Sequence, residues 1–108
     1  MNFDPTQATD SLQEPASAIP HGVSAYKRTP EFTEYSIPAG LLNAHATKEG
    51  VWGRICVTLG ELVYTVTDPR RHPQAVVLSP KRDGIVEPTI LHKVGPKGPV
   101  SFFVEFLR

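Results

Sequence analysis

Eleven prolines in 108 residues constrain this chain more than any other feature. A proline inside a helix removes a backbone donor and clashes with the preceding turn. From residue 24 onward, Pro30, Pro38, Pro69, Pro73, Pro80, Pro88, Pro96 and Pro99 interrupt every window long enough for a helix, residues 39–68 excepted. That one open window reads as strand. Residues 51–59 and 62–67 are rich in Val, Ile, Thr and Tyr and flank Gly60-Glu61. Glycine at the first position of a two-residue loop predicts a type II′ hairpin.

The register of that hairpin follows by counting outward from the loop. Leu59 faces Leu62, Val57 faces Tyr64 and Ile55 faces Val66 on an apolar side. Thr58 with Val63, Cys56 with Thr65 and Arg54 with Thr67 make a mixed side, as a half-buried antiparallel pair requires. Gly53 ends the apolar side, where a missing side chain leaves space. Further strands are expected at residues 26–28, 32–37, 75–79, 85–87, 89–94 and 100–107, with turns at 68–73 and 81–84 and a Gly/Pro loop at 95–99. Seven or eight short strands with regular turns predict an all-β sandwich or barrel, one domain over residues 24–108. Residues 1–23 scatter Pro5, Pro15 and Pro20 among small polar residues without a period, and read as a flexible N-terminal tail.

Eleven Lys and Arg balance eleven Asp and Glu, so nothing directs the chain to nucleic acid or to a membrane surface. Arg70-Arg71-His72 is a basic cluster, but two arginines in a turn read as a solvated loop. The lone Cys56 excludes an intramolecular disulfide and fits a reducing compartment. Residues 1–10 lack the basic and apolar regions of a signal peptide, and no apolar run approaches the ~20 residues of a membrane span. A cytoplasmic protein is expected.

His92 alternates in phase with Ile90 and Val94 and should face the interior. His45 lies just before the central hairpin. Two inward histidines at the ends of different strands could share a cavity, and neutral imidazole is a common metal ligand; each is otherwise a hydrogen-bonded core or rim histidine. Glu87, five residues before His92, is either a third ligand or base, or a solvated residue at a strand break. Glu105 points into the cavity or pairs with Arg54 or Arg108, and ion pairing is the favoured reading. Trp52, Lys48 and Arg54 are candidate ligand contacts at the pocket rim, with packing and solvation as their plain alternatives. Cys56, mid-strand, reads as a packing residue, since a reactive thiol needs a base and solvent access.

Several motifs, in order, resemble the TehB/YeaR-like family of small bacterial cupin-like domains. They are Tyr26-Lys27-Arg28-Thr29-Pro30, Gly40-Leu41-Leu42, His45-Ala46-Thr47-Lys48, Gly50-Val51-Trp52-Gly53-Arg54, Val66-Thr67-Asp68-Pro69, Glu87-Pro88-Thr89 with His92, and Phe102-Phe103-Val104-Glu105-Phe106. The resemblance covers residues 25–108 and implies a cupin-like double-stranded β-helix, a jelly-roll barrel with a pocket between its sheets. In the wider cupin pattern, Gly40, His45, Gly60, Pro88 and His92 fit. Thr47 stands where that pattern has its second histidine, and Gly53 where it has a glutamate. The resemblance leaves His45, Glu87 and His92 as a three-ligand set for one divalent metal, zinc, iron or manganese. Relatives of this kind stand alone or are fused ahead of a tellurite-resistance methyltransferase, which is absent from this chain.

Three functions follow as expectations. The first is a non-enzymatic or weakly catalytic domain binding a metal ion or small anion in its barrel, in a bacterial tellurite- or nitrate-type stress response. The second is a metal-dependent enzyme of dioxygenase or isomerase type, its catalytic residues unassigned. The third is a structural or partner-binding module. Exposed sheet edges need covering, which makes a homodimer an expected partner state.

Overall fold

The computed structural model describes residues 12–108. The architecture is all-β, with six strands and one helical turn. In chain order these are β1 (Ala25–Arg28), β2 (Phe32–Thr33), α1 (Ala39–Leu42), β3 (Trp52–Val66), β4 (Gln74–Leu78), β5 (Gly84–Val86) and β6 (His92–Leu107). The sheet is antiparallel throughout, ordered β1-β6-β3-β4, with β2 also pairing β6 and β5 also pairing β3. No helix of the described residues is long and apolar enough to cross a membrane.

Two strands dominate. β3 has 15 residues and β6 has 16, and they pair from Trp52↔Leu107 to Val66↔His92. This corrects the hairpin expected at Gly60-Glu61, because the chain runs straight through those residues within β3. It also corrects the expected loop at residues 95–99, which lies inside β6 opposite Glu61, Leu62 and Val63. The six strands are fewer and less even than the seven or eight short ones expected.

The physical reason lies in a double irregularity where the two long strands bend together. Thr58 has no place in the register between Val57 and Leu59, and Gly98 and Pro99 fall between the partners of Glu61 and Gly60. Extra residues of this kind kink a strand and raise its twist. Gly60 has φ +75°, and a Cβ there would lie 2.0 Å from the carbonyl oxygen of Pro99. Only glycine permits that approach. Pro99 sits at the bulge, where a missing N–H is tolerated, and Pro96 pairs with Leu62 just before it.

The bend switches which residues face inward. Before it, Gly53, Ile55 and Val57 are buried; after it, Leu62, Tyr64 and Val66 are. On β6 the inward residues are His92 and Val94, then Val100, Phe102 and Val104. Apart from Gly53 and His92, these residues join Leu78, Val86 and Ile90 in one core. Part of the segment read as a tail runs against the domain. Gln13 bridges Arg71, the His72 amide donates to the Gln13 carbonyl (3.0 Å), and the Ala16 amide donates to Glu87 Oε1 (2.8 Å). Residues 1–11 of the expected tail lie outside the described residues.

Candidate functional site

A half-open cavity of about 350 Å³ lies between β1, the segment 45–51, the first half of β3, β5 and β6. Its walls are apolar: Ile55, Val86, Val94, Phe102 and Val104 among others. At Gly53 the wall has no side chain, and a Cβ there would sit 3.1 Å from Cβ of Val86.

His45 and His92 are among the polar residues of this lining. Their backbones exchange both amide hydrogen bonds, His45 N to His92 O and His92 N to His45 O, each 2.9 Å. In such an antiparallel pair the two side chains project to one side. The rings lie 4.2 Å apart between centroids, tilted by 58°. Each Nδ1 is next to a carbonyl oxygen, Asn43 at 2.9 Å for His45 and Ile90 at 3.0 Å for His92. A carbonyl can accept but not donate, so in the neutral form of each ring Nδ1 carries the proton and Nε2 the lone pair. His92 is only 4% exposed, and burial lowers its pKa to about 4, helped by neighbouring His45. The ring of Tyr64 stands edge-on to His92, 5.7 Å between centroids, its hydroxyl donating to the Ile85 carbonyl (2.9 Å).

Asp68 explains how the loop before β6 delivers His92. It is buried at 3% exposure, and its carboxylate accepts from the Arg70 amide, both ends of the Arg70 guanidinium and the Leu91 amide at 2.8–3.0 Å. The Arg70 bonds first, then the Leu91 amide, hold that carboxyl well below the usual range. The Thr47 carbonyl accepts the Thr89 amide at 3.0 Å, tying the His45 segment to the same loop.

The other expected site residues, Lys48, Trp52, Arg54, Glu105 and Glu87, fall in three places, and Cys56, read as a packing residue, lies beside Arg54. Lys48 lines the cavity. Trp52, Arg54 and Cys56 alternate with the cavity-side Gly53 and Ile55 and so face away from it. Arg54 Nη1 donates to Glu105 Oε1 at 2.8 Å on that outer side, which is the ion pairing favoured from the sequence. Burial, with Asp83 and Glu105 nearby, pushes the Cys56 thiol up to about 11. Glu87 is not brought to the histidines. Its carboxylate takes two bonds from Arg71, 3.1 and 2.8 Å, besides the Ala16 amide, and the Arg71 contact lowers its pKa.

This arrangement bears on the divalent metal expected from the resemblance. Zinc and iron sites that do chemistry take three protein ligands, and structural zinc takes four. Here two imidazoles meet, and no group of three His, Cys, Asp or Glu suited to a metal occurs among the described residues. Thr47 donates its hydroxyl to the Val51 carbonyl (2.7 Å), and the space beside Gly53 is bounded by Val86. The donor set does not fit a resident zinc, iron or manganese.

The sequence reading missed Lys27, Thr29 and Phe106, which also line the cavity. Lys27 sits opposite Phe106 in the β1–β6 register, and the bulge between Ala25 and Lys27 sets which way β1 turns its side chains. A four-residue strand offers too few alternations for that to be counted from sequence.

A family model described as the TehB-like domain matches residues 27–104. Among curated proteins none matches the chain. Solved structures share its fold, among them these two. TehB from Haemophilus influenzae superposes with TM-score 0.73 at 23% identity over 81% of this chain and 32% of its own. A protein from E. coli (strain K12) superposes with TM-score 0.73 at 21% identity, over 84% of this chain and 95% of its own. The chain thus spans about a third of TehB.

Proposed function

Because the chain belongs to the TehB-like domain family, and its cavity joins apolar walls to cationic groups, we propose that it is a non-enzymatic domain that binds a small organic anion. The observation that carries this reading is the pair Lys27 and Lys48. Both line the cavity, both are solvent-exposed, and neither has an ion-pair partner among the described residues. Ammonium groups at the mouth of an apolar cavity select a ligand with a charged end and an apolar body. We read the bent β3–β6 pair, inward-facing on both sides of its bend, as the centre of a cupin-like double-stranded β-helix. The stress setting implied by the sequence resemblance, tellurite or nitrate, belongs to this proposal.

The test is calorimetric titration with benzoate and with its neutral ester, methyl benzoate. Benzoate is expected to bind about tenfold more tightly than the ester, and the Lys27→Ala/Lys48→Ala variant to erase the difference. Equal binding of acid and ester by the parent protein overturns the anion reading.

A further inference from the structure

The cavity lining contains a second recognition element, distinct from the two lysines. In their neutral forms His45 and His92 present Nε2 as an acceptor, because a backbone carbonyl beside each Nδ1 selects the tautomer that carries its proton there. Neither Nε2 has a hydrogen-bond partner among the described residues. His92 is 4% exposed and lines the half-open cavity, and no buried side-chain nitrogen or oxygen among the described residues lacks a partner, so its Nε2 opens onto the cavity space. Two lone pairs side by side cannot serve each other. A ligand that displaces water from them loses affinity unless it brings a donor of its own.

We infer that the cavity recognises small carboxylates bearing a hydroxyl or amino group on an apolar body, the donor group bonding to His45 and His92 Nε2. This rests on the anion reading for the carboxylate end and adds the identity of the other end. The backbone exchange between the two histidines fixes the acceptors as a pair, and Tyr64 buttresses one of them from the side. An amino group offers one N–H to each acceptor; a hydroxyl offers its single hydrogen to one or shares it. A cavity of about 350 Å³ lies at the small end of ligand pockets, so the body is a single ring or a short chain. The charges that share the cavity with the pair are the cations Lys27 and Lys48, while Glu87 is bound by Arg71 and Asp68 by Arg70. A neutral donor therefore suits the histidines better than a cation.

The experiment compares benzoate with para- and meta-hydroxybenzoate, para- and meta-aminobenzoate, and para-methoxybenzoate, by calorimetry at neutral pH. At least one hydroxy or amino acid should bind about tenfold more tightly than benzoate, and the methoxy acid, which accepts but cannot donate, should not. In His45→Ala the advantage over benzoate, with both acids measured on that variant, should shrink to less than about threefold. His45 lies at the rim and its backbone bonds survive the change; His92→Gln, checked for folding by its melting transition, provides the same test at the buried position. If benzoate binds through the lysines but no donor-bearing analogue gains, this inference fails and the anion reading stands. If the donor-bearing acids gain equally in His45→Ala and His92→Gln, the histidines are not the recognition element and the inference fails. If no probe binds, both readings fall.

Discussion

The two halves of β3 make an instructive comparison. Both turn alternate apolar residues inward and both pair with β6, yet only one half is filled. After the bend, Leu62 and Val66 pack with Leu78 at 0–2% exposure, and β4 lies alongside. Before it, Ile55 is equally buried, but Gly53 contributes no side chain and the space beyond opens into the histidine cavity. Burial alone therefore does not distinguish a packing residue from a wall. What distinguishes them is whether a partner side chain stands opposite.

The sharpest way to break that comparison is to truncate Leu62 in the filled half and Val86, the β5 residue paired with Gly53 in the hollow half. Leu62→Ala should destabilise the protein by about 4 kcal/mol, because the lost transfer energy is joined by a new void in a filled region. Val86→Ala, on the cavity wall, should cost roughly 1–2 kcal/mol, since its outer side already lacks neighbours. Urea denaturation measures both, and equal costs would mean the two halves are packed alike. The bend itself is tested by Gly60→Ala against Gly98→Ala. Both glycines have positive φ, but only Gly60 has a backbone atom where the methyl would go. A cost of roughly 3–4 kcal/mol at Gly60 against about 1 kcal/mol at Gly98 is expected, the difference reporting the close approach to Pro99.

That bend also marks where the sequence stopped being legible. A two-residue hairpin and a bulged bend produce the same switch of inward parity, so Ile55, Val57, Leu62, Tyr64 and Val66 were assigned to the interior under the wrong topology. Leu59 alone separated the alternatives: the hairpin buries it, and the bend leaves it 57% exposed. Pro96 and Pro99 read as loop markers for a sound local reason, but a bulge satisfies the same rule inside a strand. In the site, the inward phase of His92 was readable from Ile90 and Val94, and the Arg54–Glu105 pair from charge on an outer side. The position of Glu87 was not readable. Arg71 lies 16 residues earlier, in a turn whose path only tertiary structure defines.

A pH titration sharpens the comparison from the hollow side, because His92 ties the cavity to the core. Its pKa falls from an ordinary 6.5 to about 4 in the folded protein. Between those values the unfolded chain holds a proton on this residue and the folded one does not. Stability from this source is thus full above pH 6.5, lost as pH falls toward 4, and worth on the order of 3 kcal/mol. Asp68 and Glu87, whose pKa values are lowered by their arginines, add a loss that begins as pH falls through the ordinary carboxylate range and continues below it, in parent and variant alike. Denaturant melts at pH 7, 5.5 and 4 should show the first limb in the parent and not in His92→Gln. A parent protein equally stable at pH 7 and 4 would show that the imidazole is solvated.

The smallest expected effect concerns Glu87, and it decides which half of the molecule that residue serves. Its carboxylate is held by Arg71 and by the Ala16 amide, on the far side of β5 from Val86 and the cavity. Glu87→Gln keeps the shape and one acceptor while removing the charge, so the loss should be about 1 kcal/mol, typical of a partly exposed ion pair. Benzoate affinity should be unchanged within about twofold, because no part of the pair lines the cavity. Elemental analysis of untagged protein provides the opposing outcome. One equivalent of zinc, iron or manganese that disappears in Glu87→Gln would mean that the carboxylate leaves Arg71 to join the two histidines, making the hollow half a metal centre rather than a binding cavity.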